Sequence, residues 1–278
     1  MKSIIVGTDF SQGSFVALDL AAELANCLRC GIKLVWVKRE KKLIDEQQQQ
    51  VMCRLAKEKL QRLCDEHGPR LRHGTIVWEV MEGKVAASIA RAVQHENAPM
   101  VVIGTNGASG FEKYWMGSTA VRIVQESPVP VLTVREGFDF RRRLECIVVP
   151  IRVNVNSRQK VPPAAAIAKV FGAQIHILGL SALPEQQSQL NAYVNQAADY
   201  LRGEGVASTT AIRPYDNYCD TVLAYADEVN ADLVVINTEQ DKVLAQIFLG
   251  TNAQQVVHRA QIPVLCIHPA DIFYFSKT

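Results

Sequence analysis

Short apolar runs alternate along the chain with longer segments of helical periodicity. In the first half, Ser3–Thr8, Ile32–Val37, Arg72–Val80, Met100–Gly104 and Val129–Val134 predict strands. Gly13–Cys30, Leu43–Glu66, Val85–His95 and Ser118–Glu126 predict helices between them. The strand runs are almost continuously apolar rather than alternating, which is the signature of strands buried on both faces of a parallel sheet. In the second predicted helix, Met52, Ala56, Leu60 and Leu63 recur at three- to four-residue spacing and define one buried stripe. The second half repeats the order, with strands expected at Cys146–Pro150, Gln174–Leu178, Ala207–Arg213, Leu233–Asn237 and Val264–Ile267. Pro162-Pro163 belongs in the first turn of its first helix, where a missing N–H costs nothing. Strand–helix alternation of this kind implies an α/β fold, a doubly wound parallel sheet covered by helices on both faces.

The halves are copies of one another. Gly117-Ser118 recurs as Gly250-Thr251 and Val129-Pro-Val-Leu132 as Ile262-Pro-Val-Leu265, both at an offset of 133. Ile4-Ile-Val-Gly7 lines up with Ile147-Val-Val-Pro150 at an offset of 143, so the first copy is longer in its middle. The seam is the polar stretch Arg135–Arg143, and the expected domains are residues 1–137 and 141–278. Each is long enough to bury a core of its own.

Chemistry concentrates at the end of the fourth strand of the first copy. Gly104-Thr-Asn-Gly107 closes that strand, nine residues intervene, and Gly117-Ser118 opens the next helix. Glycine lets the backbone approach an anion closely, and the first amides of a helix point outward with the positive end of its dipole. Three amides and the hydroxyls of Ser118 and Thr119 are expected to form an anion nest there. The spacing is neither the dinucleotide fingerprint nor the P-loop, whose Gly-Lys-Ser/Thr ending does not occur. In open parallel sheets ligands bind beyond the carboxyl ends of the strands, where strand order reverses. Thr8-Asp9, Val37 and Gly104 are expected to converge there. Gly104 and Gly107 have a plainer reading as turn glycines, and Asp9 one as a cap of the following helix, although Ser11 is the better cap candidate.

The segment resembles the nucleotide loop of the universal stress protein family, G-x2-G-x9-G-[S/T], at all four positions. Ile4-Ile-Val-Gly-Thr-Asp-Phe-Ser11 and Ser127-Pro-Val-Pro-Val-Leu-Thr-Val134 look like that family's first and last strands. The resemblance spans residues 1 to about 136 and suggests a tandem member with an adenine nucleotide α-hydrolase-like, Rossmann-like fold. It implies ATP as ligand, with accompanying Mg2+ left open. Thr8 and Asp9 would lie near the ribose and adenine and the Val37 backbone at the adenine edge. Ile103, Gly104, Asn106 and Gly107 would wrap ribose and phosphates, and Gly117, Ser118, Thr119 and Ala120 would hold the phosphates. The implied role is regulation in stress through an unidentified protein partner. Last-strand pairing, inter-subunit in single-domain relatives, would here make an intrachain pseudo-dimer, with a homodimer also open.

The second copy departs from the pattern. Asn237 and Gln240 replace the first two glycines, and Arg152 replaces Asp9. Arginine cannot accept a ribose hydrogen bond but reaches an anion directly. This crevice is expected not to bind ATP in the family's manner, leaving either pure packing or a different anionic ligand.

Lys+Arg total 30 against 28 Asp+Glu, a net charge of +2, which argues against electrostatic binding of nucleic acid. Lys38, Arg39, Lys41 and Lys42 cluster after the second strand, as solvated charges or as aids to a phosphate. The seven cysteines, with no long apolar segment, fit a cytoplasmic chain with reduced thiols and no membrane span. Cys27-Leu-Arg-Cys30 lacks a second pair for zinc and sits near a helix C-terminus, where the dipole raises thiol pKa. No side chain besides Asp9 stands out as a base, so the expectation is a binding protein, with slow ATP hydrolysis or self-phosphorylation at Ser118 or Thr119 left open. Cleavage between the α and β phosphates would want a Ser-Gly-Gly-x-Asp-Ser loop where Gly7-Thr-Asp-Phe-Ser11 stands. A module that binds no nucleotide is the other alternative.

Overall fold

The structure, a computed structural model, describes residues 2–38, 46–105, 117–138, 144–240, 247–248 and 251–268. Asn106 and Gly107 of the predicted loop, the aromatics Phe111, Tyr114 and Trp115, and Arg39, Lys41, Lys42 and Gly250 lie outside them. The chain forms two compact units, Met1–Gly137 and Phe138–Thr278.

In the first unit the strands are β1 (Ser3–Gly7), β2 (Gly31–Lys38), β3 (Ile76–Glu82), β4 (Val101–Gly104) and β5 (Val131–Val134). The helices are α1 (Gln12–Leu28), α2 (Glu46–His67), α3 (Val85–Glu96) and α4 (Ser118–Glu126). The strands are all parallel, in the order β3-β2-β1-β4-β5. Ile4, Ile5, Val6, Val101 and Val102 are fully buried, as two-sided burial of the sheet requires. Helix α1 is capped by Ser11, whose hydroxyl accepts from the Ser14 amide at 3.3 Å, and it ends at Arg29 in the left-handed region. Lys33 on β2 bridges Glu79 on β3 and Glu96 at the end of α3.

Two expectations are corrected. The strand predicted from Arg72 begins only at Ile76, because Gly74 adopts φ +77° and breaks extended backbone, and it then runs on to Glu82. The α2 stripe is Ala56, Leu60, Leu63 and Cys64, whereas Met52 is 43% exposed, as are its neighbours Val51 and Leu55 to similar degree. The fully buried side chains of the helix begin at Ala56, and the Trp78 indole of β3 donates to Gln61 Oε1. Periodicity marked the correct face but could not mark where the sheet beneath it ends.

In the second unit the strands are β6 (Cys146–Arg152), β7 (Gln174–Ser181), β8 (Ser208–Pro214), β9 (Leu233–Asn237) and β12 (Val264–Ile267). Between β9 and β12, β10 (Glu239–Gln240) and β11 (Ile247–Phe248) form a small antiparallel ribbon. The helices are α5 (Val161–Phe171), α6 (Gln187–Gly203), α7 (Tyr218–Glu228) and α8 (Thr251–Arg259). The order β12-β9-β6-β7-β8, all parallel, is that of the first unit. Pro162 and Pro163 occupy the first turn of α5 as expected, but the chain reaches it through a 3-10 turn, Val155–Arg158. No helix among the described residues is long and apolar enough to cross a membrane.

Leu60→Ala should cost about 2–5 kcal/mol by leaving a cavity beneath α2, while Met52→Ala should stay within about 0.5 kcal/mol. Urea unfolding of the two variants checks this, and comparable losses would restore Met52 to the core.

Candidate functional site

In the first unit β1 has β2 on one side and β4 on the other, so strand order reverses between β1 and β4. That is the switch point of an open α/β sheet. Thr8 and Asp9 leave β1 there, and Gly104 and Thr105 leave β4 there. Val37 stands one strand further out, at the carboxyl end of β2 and two residues past the Gly7–Val35 register.

The turn after β1 is held by its own polar groups. The Thr8 amide donates to Val35 O at 2.9 Å, and the Thr8 and Ser14 hydroxyls lie 2.9 Å apart. Asp9 Oδ1 accepts from the Ser11 amide at 3.1 Å and the Ser11 hydroxyl at 2.5 Å. Asp9 therefore buttresses the capping residue while Ser11 does the capping. Phe10 sits at φ +62°, a region that bulky residues rarely occupy, at a cost of order 1–3 kcal/mol. Its amide donates to Thr8 Oγ1, its ring stacks on Trp36 with centroids 6.2 Å apart, and the Lys59 ammonium lies 5.2 Å from the ring centroid.

Gly104 and Gly117 prove to be glycines for different reasons. A Cβ on Gly104 would lie 2.6 Å from Gly13 C and 2.7 Å from Gly13 O, inside the first turn of α1. The glycine is required first by packing of backbone on backbone, which corrects the expectation that approach to a phosphate alone demands it. A Cβ on Gly117 would meet, among the described residues, only Thr105 O at 3.8 Å, and its φ of −57° suits any residue. Among the described residues nothing demands glycine at 117.

The Gly117 amide donates to Thr105 O at 3.0 Å, which fixes the start of α4 against the end of β4. The Ala120 amide donates to Gly117 O at 2.9 Å and the Ala120 side chain is buried, so Ala120 brings no donor to the crevice. The nest is thus smaller than three amides. It comprises the Ser118 amide and the hydroxyl-bearing residues Ser118 and Thr119 at the positive end of the α4 dipole. Ile103 has its side chain in the core against Gly7. Switch point, β4 end and α4 start therefore gather Thr8, Asp9, Gly104, Gly117, Ser118 and Thr119, with Val37 at the flank.

Thr105 escaped the sequence reading. It is buried, and its Oγ1 has no hydrogen-bond partner among the described residues. Its repeat counterpart Thr238 has one, since Thr238 Oγ1 lies 2.5 Å from His268 Nδ1. The signal was in the sequence, because the repeat sets Arg135 where His268 stands.

The same location in the second unit is built from side chains. Asn237 stands where Gly104 does, its Nδ2 donating to Asn156 O at 3.0 Å and its Oδ1 accepting from Lys160 Nζ at 2.8 Å. Arg152, in the place of Asp9, lies with its guanidinium carbon 4.8 Å from the Tyr218 ring centroid. Burial, with Arg152 nearby, brings the Lys160 ammonium down to about 7. The side chain of Gln240 lies outside the described residues.

Elsewhere, Lys38 pairs with Glu82 at 3.0 Å. Burial raises the pKa of both Cys27 and Cys30, with Glu23 adding to the effect at Cys27, so neither is an activated thiol. No group of three or more metal-ligating side chains occurs among the described residues.

The model of the universal stress protein family matches residues 1–135 and 171–268. The chain belongs to the universal stress protein family. The two matches give it a tandem form. A universal stress protein of Mycobacterium tuberculosis is 24% identical across 95% of this chain and 99% of its own length. One from Methanocaldococcus jannaschii is 26% identical over 145 residues, covering 49% of this chain and 82% of its own. The crystal structure of a universal stress protein from Archaeoglobus fulgidus superposes with a TM-score of 0.80 at 20% identity, over 96% of this chain and 98% of that one. This universal stress protein thus shares its two-unit α/β fold with solved relatives.

Gly104→Ala should destabilise the protein by about 1–3 kcal/mol through overpacking, and Gly117→Ala by far less, as read from urea midpoints. Equal effects would refute the packing assignment. Lys160 titrates near 10.5 in the unfolded chain and about 7 in the native one. Between those pH values the unfolded state holds the proton that the native state has released, so this group makes stability rise with pH. The stability of wild type relative to Lys160→Met should therefore increase from pH 7 towards pH 10 in paired urea titrations, and a flat or falling difference would exclude a depressed lysine.

Proposed function

We propose that the first unit binds an adenine nucleotide, ATP in the first place, and that the chain acts as a nucleotide-dependent regulator in a stress response. The observation that carries the reading is the pairing of Thr105 with Gly117. A buried hydroxyl without a described partner stands beside a helix start whose glycine no described residue requires, at the spacing G-x2-G-x9-G-S. A ligand group explains both, since it satisfies the hydroxyl and uses the space that a Cβ would take.

Phosphates lie at the Ser118 amide and the Ser118 and Thr119 hydroxyls, with the positive end of α4 behind them. Gly104, Asn106 and Gly107 wrap the ribose side, while Thr8, Asp9 and the backbone of Val37 and Ile103 face ribose and adenine. A carboxylate accepts from ribose hydroxyls or an exocyclic amino group, which suits Asp9. Mg2+ would arrive on the polyphosphate. The residues named here bind and orient; none is placed as a base for hydrolysis. Asn237 and Arg152 remove the corresponding contacts from the second unit, so one nucleotide binds per chain. A cytoplasmic setting and a protein partner that reads occupancy complete the proposal.

Native mass spectrometry of the full chain should show one ATP bound, and Gly117→Val should abolish binding in calorimetry while the melting temperature stays within a few degrees. Undiminished affinity in that variant would refute the site. Two nucleotides per chain would refute the asymmetry, and released AMP with pyrophosphate would point to a hydrolase instead.

A further inference from the structure

The sheet of the first unit ends in a strand that is paired on one side only. β3 lies against β2 along its whole length, Ile76 to Glu82, and no strand among the described residues pairs with its other side. The register fixes which backbone groups are left over. The Ile32 amide donates to Thr75 O at 2.9 Å and the Gly83 amide to Lys38 O at 3.1 Å. In a parallel ladder alternate residues turn to the same neighbour, so Thr75, Val77, Glu79, Met81 and Gly83 face β2. Ile76, Trp78, Val80 and Glu82 turn their amides and carbonyls outward. Among these groups only the Glu82 carbonyl has partners in the described residues, Arg91 Nη2 at 3.1 Å and Ser88 Oγ at 3.4 Å.

The outermost strand of the second unit is blunted. The Ile175 amide donates to Ala207 O at 2.9 Å and the Tyr215 amide to Ser181 O at 3.2 Å, which turns Ser208, Thr210, Ile212 and Pro214 outward on β8. Pro214 brings no donor, and the Ile212 carbonyl accepts from Arg213 Nη1 at 3.4 Å. Proline and charged side chains are the devices that keep an edge from pairing. β3 has no proline, no lysine and an unbroken register, and Val77 is 45% exposed beside its open side. The two acids of the strand are each paired within the chain, Glu79 with Lys33 at 2.8 Å and Glu82 with Lys38 at 3.0 Å.

We propose that β3 is a dimerisation edge, which pairs antiparallel with β3 of a second copy of this chain across a two-fold axis at Trp78. This register uses the free backbone groups and leaves the Glu82 carbonyl to Arg91 and Ser88. Trp78 exchanges both hydrogen bonds with the partner's Trp78, and Ile76 does so with the partner's Val80. The facing side chains agree in chemistry. The two indoles meet at the axis, Ile76 lies against the partner's Val80, and Val77 lies against the partner's Glu79, so no like charges oppose one another. Neighbouring registers do worse. An axis at Glu79 sets that carboxylate against its own copy. An axis at Val80 calls on the Glu82 carbonyl, and one at Val77 runs the pairing into Gly74, whose φ of +77° breaks extended backbone. A second copy is therefore the occupant this edge fits, and the two-fold closes the interface on itself.

Sedimentation velocity of the full chain, without nucleotide, should show a dimer that dissociates on dilution. Val80→Pro removes an outward amide and no bond to β2, and should give a monomer that keeps its circular dichroism spectrum. Val77→Glu sets a carboxylate against the partner's Glu79 and should raise the dimer dissociation constant by roughly fivefold or more, since the contact occurs twice, whereas Val77→Lys should not weaken the dimer. A monomer at every concentration, which would leave the edge to a strand of another protein, overturns the proposal. So does a dimer indifferent to Val80→Pro, or one weakened equally by Val77→Glu and Val77→Lys. The Val77 pair decides the matter even if Val80→Pro fails to fold, and the outcome does not depend on whether the first unit takes ATP.

Discussion

In the first unit the end of β4 presses against the first turn of α1 so closely that Gly104 has no room for a Cβ. Gly104 would put one 2.6 Å from Gly13 C. This backbone contact brings the β4 end beside the turn after β1, and the Gly117–Thr105 hydrogen bond then brings the start of α4 to the same place. The positions of Asp9, Ser118 and Thr119 relative to one another follow from those two fixings. Core packing reinforces them, since Ile4, Ile5, Val6, Val101 and Val102 are fully buried beneath the site, but packing alone would not set the spacing of the loops above the strands.

The second unit solves the same geometric problem with a side chain in the gap. Asn237 bridges the β9 end to Asn156, and the chain enters α5 through a 3-10 turn that makes room for it. One sheet order thus supports two kinds of strand-end chemistry. In the first, glycine and exposed amides face the crevice. In the second, the strand end carries a side-chain amide that accepts from a buried ammonium group. The side chains of Lys160 and Asn237 are coupled, because the asparagine amide, the Asn156 and Ser157 carbonyls and the Lys160 ammonium belong to one network. Replacing Asn237 with glycine alone would leave Lys160 buried with one described acceptor, a loss rather than a gain of the first unit's contact.

Much of this was legible in the sequence. The central strands of each unit announced themselves as nearly continuous apolar runs, whereas the outer β3 and β8 are polar in part, and α4, β9 and β12 carry the limits expected for them. The repeat was visible from Gly117-Ser118 and Gly250-Thr251. Less legible were features that depend on what lies across a gap. Met52 has the right periodicity but no sheet under it. Gly104 was readable as a site glycine, while its packing against Gly13 depends on two residues far apart in sequence. Ala120 matched the motif, yet its amide is consumed by the turn itself. Lys160 carried no motif at all, and only burial distinguishes it from a surface lysine, while Thr105 was marked only by the contrast of Arg135 with His268 across the repeat.

The two crevices also differ in what can disturb them. Backbone amides and serine or threonine hydroxyls do not titrate near neutrality, so the donors at the start of α4 present the same field to an anion throughout the physiological pH range. Lys160 does titrate there, because burial and Arg152 hold it at about 7. A tandem chain can thus keep one sheet order and vary the chemistry of its strand ends from one copy to the next.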